Sequence, residues 1–431
     1  MTDHKENSAV LDGPQCLEQL GEAQAFSGHP QFWDEAMTAR PASRPIYLQR
    51  EALSARREAA GLAADADATL LAAVEAIEAD PVLAQLAWFL HWRVFVAPEH
   101  GVPWGPPILE KRLGILAGPF YQLLSLEFPT RLAEVHRQRH YPPEVTAETV
   151  LQLLAFDGNY RRGCGCAGIY ARQFSWLTNY LLDPYIRLGR LEFQLHTYGG
   201  GVNAWQRRSD DAVLALAEDD VRVGPAGLRL APDAPAEEGW RTSYREESDM
   251  VQGYPIDPAG YILPDPVRLS FDEWAPRLRR GDTVIDMHIP AGGGMTWEAC
   301  IDSLQRASAF FPRYHPDRPF TALALGTWFM DPRLADILPS TANPLHMQRA
   351  GYLFPTSPAP DGLWFVFLQS THNPAILPRD TSMRRALAAF LDTGATWHGG
   401  GMFMLREHLD EPVEGRYRAM FAGLLDGMKG T

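Results

Sequence analysis

The hydrophobic pattern changes its period near residue 186, and this change constrains the fold more than any other feature of the chain. Between Thr69 and Ala97, apolar residues recur mostly at three- and four-residue spacing, which is typical of amphipathic helices. From Ile186 onward, they alternate with polar neighbours over short runs, as in half-buried strands. The sequence therefore predicts an α+β protein, with a helical N-terminal module packed on a mixed-sheet α/β C-terminal domain.

The length of the chain fits this division into two parts. Its 431 residues exceed one ordinary core, because single domains usually contain about 100–200 residues. We expect a loosely ordered arm over residues 1–30, a helical domain over 31–180 and the mixed domain over 181–431. Residues 199–250 are rich in Gly, Ala, Asp and Glu, and we expect a mobile insertion there.

Local signals predict individual elements. Pro81 after Asp80 should divide the 69–97 segment into two helices. The clearest strand is predicted over residues 283–289 and the clearest amphipathic helix over 296–311. Further predictions are a helix over 116–136, a bulge at Gly189-Arg190, a short helix over 271–278 and a strand over 363–368.

The net charge of −14 and the pI near 5.4 argue against two kinds of partner, nucleic acids and anionic membranes. An acidic surface repels nucleic-acid phosphates and anionic membranes, so neither is expected as a partner. The first 25 residues contain no apolar run, and no stretch reaches the ~20 apolar residues that a membrane span requires. We therefore expect a cytoplasmic protein that acts on a small molecule; the oligomeric state does not follow from the sequence.

The four cysteines fit a reducing compartment and no metal site. Cys16, Cys164, Cys166 and Cys300 are too few and too irregularly spaced for a disulfide framework. Cys164 and Cys166 are separated by one residue rather than two, and no second pair exists to complete a zinc site. No metal is therefore expected.

The segment Pro290-Ala291-Gly292-Gly293-Gly294-Met295-Thr296 joins the clearest strand to the clearest helix. Glycines let a ligand approach the backbone, and free amides at a helix N-terminus favour a phosphate or carboxylate. Thr296 is placed to cap the helix. The segment matches neither the P-loop nor the dinucleotide pattern, so a plain glycine-rich connector remains an alternative.

Several short stretches, in this order and spacing, resemble a bacterial family of acyltransferase-domain proteins. That family carries a helical N-acyltransferase N-terminal module followed by a GNAT-like C-terminal domain. The stretches are residues 186–193, 288–294, 302–311, 327–332 and 343–344. The resemblance therefore covers mainly the second part of the chain, and the helical module is matched by position and character.

The resemblance implies acyl transfer from acetyl-CoA or another acyl-CoA to a small-molecule amine. Domains of this type hold the CoA pyrophosphate on the amides of a strand-loop-helix unit. Where the usual loop carries Arg or Gln, this one carries Pro290 and Ala291, so the charge would come from Arg187 or Arg190. The residues implied as cofactor-binding are Gly292, Gly293, Gly294, Met295, Thr296 and Arg190.

Acyl transfer to an amine requires a base, a donor for the oxyanion and an acid for the departing thiolate. His288 near the end of the clearest strand has a suitable intrinsic pKa for the base, and Glu192 could act through water. Tyr314 or Tyr352 could protonate the thiolate. The alternatives are a structural histidine, a surface pair of Arg190 with Glu192, and tyrosines that serve only in packing.

Two other functions remain open on the sequence alone. The departure at Pro290 and Ala291 also fits a non-catalytic ligand-binding or regulatory protein that keeps a GNAT-like fold. A partner-binding scaffold that uses the helical module is a third hypothesis. A cleft that joins His288 to the glycine loop would favour the enzyme.

Overall fold

The structure, a computed structural model, describes residues 11–25, 32–101, 105–182, 184–235, 239–369 and 373–424. These residues divide into two compact units. The first contains the described residues up to Arg187 together with 290–292, and the second contains 188–289 and the described residues from Gly293 onward. The division into a helical part and a mixed-sheet part confirms the predicted fold class.

The elements of the first unit up to Tyr180 are all helical, as predicted. Asp80 separates two of its helices, because its carboxylate accepts hydrogen bonds from the amides of Val82 and Leu83 at 3.0 and 3.3 Å. Pro81 occupies the first turn of the next helix, where its missing N–H costs nothing. The helices are α1 (Gly13–Gln19), α2 (Trp33–Thr38), α3 (Leu53–Ala59), α4 (Asp67–Ala79), α5 (Pro81–His91), α6 (Glu110–Leu113), α7 (Ala117–Ser125), α8 (Phe128–Gln138), α9 (Pro143–Val150), α10 (Gln152–Cys164) and α11 (Ala171–Trp176).

Two predictions for this unit need correction. The single helix expected over 116–136 is divided into α7 and α8, because Pro129 fits only in a first helical turn and starts a new helix. The predicted N-terminal arm contains α1, in which Asp12 forms a capping box and Cys16 is fully buried. Residues 1–10 and 26–30 of that arm lie outside the described part of the chain.

The second unit is built on a six-stranded sheet with the order β1-β2-β13-β14-β16-β15. Strands β13 and β14 are parallel and are joined by helix α12 (Trp297–Tyr314), which packs against β2. β13 pairs antiparallel with β2, and β16 pairs antiparallel with β14 and β15, so the sheet is mixed as predicted. Its strands are β1 (Ile186–Leu188), β2 (Leu191–Thr197), β13 (Thr283–His288), β14 (Ala322–Thr327), β15 (Tyr352–Pro355) and β16 (Gly400–Leu405).

A second sheet with the order β10-β9-β4-β3-β12 uses the residues predicted as a mobile insertion. Strands β3 and β4 come from the 199–250 segment, and every residue of β4 is buried. Residues 236–238 of that segment lie outside the described residues. The remaining strands are β3 (Val202–Arg207), β4 (Val213–Ala217), β5 (Arg222–Val223), β6 (Trp240–Arg241), β7 (Arg245–Glu246), β8 (Met250–Gly253), β9 (Pro255–Asp257), β10 (Tyr261–Ile262), β11 (Val267–Ser270) and β12 (Trp274–Leu278).

The helix predicted over residues 271–278 is wrong, because most of that segment forms strand β12. Its buried residues Trp274 and Leu278 are four apart, a spacing that fits one face of a helix and also alternate positions of a strand. Pro276 is tolerated because β12 lies at the edge of its sheet.

Two further local predictions are corrected. The apolar run 363–368 contains α15 (Trp364–Phe367) instead of a strand, since periodicity does not separate strand from helix in so short a run. Gly189-Arg190 is a turn between β1 and β2, in which Gly189 adopts a φ of +72°, and not a bulge within one strand. The other helices of this unit are α13 (Leu334–Ile337), α14 (Asn343–Ala350), α16 (Ser382–Asp392) and α17 (Arg416–Ala422).

Within the described ranges, none of the helices has the length and apolar character needed to cross a bilayer. The same residues hold no group of three or more His, Cys, Asp or Glu side chains that could bind a metal ion.

The hydroxyl of Tyr352 joins the two larger sheets. It accepts a hydrogen bond from the amide of Ala215 on β4 at 3.1 Å and donates one to the carbonyl of Ile256 on β9. Tyr352 is fully buried, and this burial raises the pKa of its hydroxyl. Its hydroxyl is thus engaged in the core, which contradicts the suggestion that Tyr352 protonates a thiolate.

We expect Tyr352→Phe to destabilise the second unit by about 2 kcal/mol, because it leaves a buried amide and a buried carbonyl without their partner. Thermal unfolding followed by circular dichroism measures this as a lower Tm. Tyr254→Phe is the matched control, since its ring packs against Trp240 at 4.7 Å and its hydroxyl makes no hydrogen bond with any described residue. Equal Tm values for the two variants would contradict the linking role of Tyr352.

Candidate active site

Strand β13 brings His288 to a polar side of the six-stranded sheet. Glu192 of β2 lies opposite His288, and Gln194 lies opposite Asp286. Because directly opposed residues point to the same face, these four side chains share one side, which we call the His288 face. The residues that alternate with them, such as Phe193, are buried and apolar.

His288 and Glu192 form a hydrogen-bonded pair on this face. The imidazole Nδ1 lies 2.7 Å from Oε2 of Glu192. The Glu192 side chain is 0% exposed, whereas that of His288 is 28% exposed. Since a carboxylate can only accept, it holds the proton on Nδ1 and leaves Nε2 as the basic nitrogen.

This contact changes the role predicted for Glu192. The sequence suggested that Glu192 acts through water or forms a surface pair with Arg190. In the structure, Glu192 is buried and contacts His288 directly. Arg190 lies in the turn that precedes β2. The 96 residues that separate the two partners explain why the pairing could not be predicted without the strand register.

The loop that follows β13 has the character predicted from its glycines. Gly292 and Gly293 adopt φ values of +84° and +65°, which other residues rarely adopt, and Gly292, Gly293 and Gly294 are exposed. Their amides and that of Met295 donate to no acceptor among the described residues. Thr296 caps α12, since its hydroxyl accepts from the amide of Ala299 at 3.4 Å. The amides of Gly293, Gly294 and Met295 thus lie together just before an 18-residue helix.

Arg190 is the cationic residue that the structure brings to this loop. Its Nε donates to the carbonyl of Gly294 at 3.1 Å, and its own amide donates to Oγ of Ser303 on α12 at 2.8 Å. The guanidinium therefore lies beside the exposed amides. Arg187, the other candidate, belongs to the first compact unit, where its amide donates to Oγ1 of Thr149 at 3.0 Å.

The ladder between β13 and β14 stops before either strand ends. Their pairing ends at Asp286 and Ala324, although β13 pairs with β2 as far as His288 and β14 pairs with β16 as far as Thr327. The break lies at the carboxyl ends of two parallel strands, next to His288. Open α/β sheets bind ligands at this edge.

Tyr314 is not part of this arrangement. It ends α12, and 17 residues of helix place it about 25 Å from Trp297 at the start of the helix. Its ring packs against Phe310 with a centroid distance of 4.5 Å. The structure thus brings His288 into contact with Glu192, and Arg190 into contact with the loop. Tyr314 takes part in neither contact.

A cavity of about 400 Å³ opens on the His288 face and was not predicted from the sequence. Asp286 and Gly326 line it near the break in the ladder, and Glu218, Arg229 and Arg280 line another part of it. Asp286 lies two residues before His288, so both side chains point to the same face of the strand. This alternation was the one sequence signal that could have identified Asp286 as a site residue.

The sequence matches two family profiles. One, described as the GNAT-like C-terminal domain, matches residues 185–403, and the other, described as the N-acyltransferase N-terminal domain, matches residues 51–181. A comparison with curated proteins found no match. The two profiles agree with the family resemblance inferred from the sequence.

Solved structures with a similar fold include three acyltransferase complexes. An acyltransferase in complex with decanoyl-CoA and teicoplanin is 23% identical, with a TM-score of 0.61. An acyltransferase in complex with CoA and 10C-teicoplanin, and an acyltransferase mutant in complex with octanoyl-CoA, are each 22% identical, with TM-scores of 0.62. Each match covers 92% of this chain and 99% of the other.

At this level of identity, the structural matches show a shared fold. The GNAT-like profile spans more than half of the 431 residues and contains both β13 and the glycine loop. The chain therefore belongs to the family defined by the GNAT-like C-terminal domain, here preceded by an N-acyltransferase N-terminal domain.

Proposed function

We propose that the protein is an acyl-CoA-dependent N-acyltransferase that uses His288 to deprotonate a small-molecule amine. The hydrogen bond from His288 to the buried Glu192 carries this proposal, because it leaves a basic Nε2 on a partly exposed ring. The family profiles support the reaction class.

The glycine loop supports acyl-CoA as the donor. The pyrophosphate of CoA is a strong hydrogen-bond acceptor, and the amides of Gly293, Gly294 and Met295 have no acceptor within the described residues. Arg190 beside the loop supplies a positive charge that Pro290 and Ala291 do not. The break in the ladder near Gly326 offers a place where the amide-bearing pantetheine arm can bind as an added strand.

The related structures suggest the length of the acyl group. The acyltransferases with a similar fold are complexes with octanoyl-CoA and decanoyl-CoA. We therefore infer a medium-chain acyl-CoA as the donor, with acetyl-CoA as the short-chain alternative.

A single histidine can serve both proton transfers. The amine nitrogen attacks the thioester carbonyl, the C–N bond forms, and Nε2 of His288 takes the proton from nitrogen. The C–S bond then breaks, and His288 returns that proton to the departing thiolate, which leaves as the CoA thiol. Glu192 stabilises the imidazolium between the two transfers, so no separate acid such as Tyr314 is needed.

A covalent route through Cys300 is disfavoured. Cys300 lies in the first turn of α12 and is 1% exposed. Burial raises the pKa of its thiol to about 11, so the thiolate that would attack a thioester is scarce at neutral pH. Direct transfer from the acyl-CoA to the amine therefore fits this environment better.

We expect His288→Ala to lower kcat for acyl transfer from octanoyl-CoA by about 10²–10⁴-fold, because it removes the proposed base. Glu192→Gln should lower kcat by a smaller factor, since Gln keeps the size of the side chain but removes its charge. The measurement is the release of free CoA thiol in the presence of a primary amine. The increase in Tm caused by CoA should persist in both variants, because neither side chain is part of the loop.

His346→Ala is the matched control. His346 also pairs with a carboxylate, at 2.6 Å from Glu414, but it lies on α14. Its kcat should stay within about twofold of the unaltered protein, in line with the small effects of most surface substitutions. A His288→Ala variant that binds CoA and keeps full kcat would show that His288 is structural.

We expect Arg190→Gln to weaken CoA binding by about 10-fold or more, because it removes a charge beside the pyrophosphate position. Isothermal titration with CoA and with pantetheine measures the effect; pantetheine lacks the pyrophosphate, so its Kd should not change. Arg385→Gln is the control, since Arg385 also donates to backbone carbonyls but is exposed on α16. Equal losses for CoA and pantetheine would contradict the assignment of Arg190.

A further inference from the structure

We infer that the cavity on the His288 face binds the acyl acceptor, and that this acceptor is a small molecule with both an amine and a carboxylate, as in an amino acid. The inference rests on the proposed function, because it names the second substrate of the same site. Three observations support it: the position of the cavity, the charges of its lining residues and the open space at Gly326.

The cavity begins at Asp286, two residues before the proposed base. Asp286 lines it and lies two residues before His288 on the same strand and the same face, at a separation of about 7 Å along the strand. Val284 and His196, which are opposed in the register, continue the lining away from the glycine loop. A molecule in the cavity can therefore approach His288 from the side opposite to the loop.

The lining suits an acyl chain poorly, because charged side chains lie among its apolar residues. Four charged side chains, those of Glu218, Arg229, Arg280 and Asp286, face a cavity of about 400 Å³. An alkyl chain there would remove water from these groups and return no hydrogen bonds. A polar acceptor of amino-acid size satisfies them and fits a cavity of this volume.

The charges are arranged with opposite sign in two parts of the cavity. Glu218 Oε1 accepts from Nη2 of Arg280 at 2.7 Å, and Glu218 Oε2 lies 3.5 Å from Nη2 of Arg229. Two guanidinium groups around one carboxylate leave a net charge of +1 in that part. Asp286 supplies a negative charge in the part next to His288.

An acceptor with two opposite charges matches this arrangement. Its ammonium group would lie near Asp286 and lose a proton to the solvent before attack, and its carboxylate would lie near Arg280. The Arg280 side chain is 67% exposed, so its guanidinium is accessible for a second acceptor group. An amine without a carboxylate would leave the excess positive charge of that part uncompensated.

Gly326 keeps the cavity open where it meets the break in the ladder. A Cβ added at Gly326 would find no atom within 4 Å, and its φ is not in the positive range. A larger side chain at this position would therefore extend into the cavity without strain in the surrounding protein. This makes Gly326 a position at which the cavity can be blocked.

The test compares acceptors and variants in octanoyl transfer from octanoyl-CoA. L-phenylalanine and L-leucine are each paired with the amine that lacks the carboxylate, phenethylamine and isopentylamine. We expect KM for the amino acids to be lower by about 10-fold or more, because their carboxylate gains an ionic contact with Arg280. Arg280→Gln should abolish this preference, and Gly326→Val should raise KM for the amino acids.

Gly423→Val is the control for the blocking variant, because Gly423 also has no atom within 4 Å of an added Cβ but does not line the cavity. Equal KM values for amino acids and simple amines, or an unchanged KM in Gly326→Val, would overturn the inference and leave the transferase proposal intact.

Failure of the transferase proposal gives a different result. In that case, no acceptor would cause release of CoA. L-phenylalanine alone would still raise the Tm of the unaltered protein but not that of Gly326→Val, and this difference would support the cavity assignment.

Discussion

The hydrogen bond between His288 and Glu192 is the interaction on which the functional account depends. A carboxylate buried to 0% exposure costs several kcal/mol in lost hydration, and such a group persists only where strong hydrogen bonds compensate it. The antiparallel register of β2 with β13 provides this compensation by placing Glu192 directly opposite His288. The pair therefore follows from sheet geometry, and it gives the histidine a defined tautomer.

The remaining parts of the site are arranged around the end of the same strand. Beyond His288 the chain enters a loop of exposed amides and then the first turn of α12, and Arg190 attaches this loop to the turn between β1 and β2. On the other side of His288, the same face carries Asp286 and the cavity. The proposed anion site, the proposed base and the polar cavity thus follow one another along β13, an order that suits two substrates meeting at His288. A binding protein would have no need of a base at this point, so the arrangement favours the enzyme over the non-catalytic alternative.

The sequence predicted those features that are determined by neighbouring residues. The glycine loop, the cap at Thr296 and the break at Pro81 all depend on local backbone preferences, and the structure has them as expected. The segment 271–278 was assigned wrongly, because a spacing of four residues fits both a helix and alternate positions of a strand. The partner of His288 and the cavity at Gly326 depend on strand register between distant segments, which a single sequence does not reveal. Tyr314 had suitable chemistry, but the length of α12 separates it from the loop.

The tautomer of His288 is the most direct test of the account. Nitrogen-15 NMR of histidine-labelled protein, with the His288 signals assigned by comparison with a His288→Gln variant, distinguishes the two ring nitrogens in the neutral form. We expect the proton of the neutral ring on Nδ1 and an unprotonated Nε2, as the contact with Glu192 requires. A neutral ring protonated on Nε2 would contradict the account, since that nitrogen would then be a donor with no capacity to accept a proton from an amine.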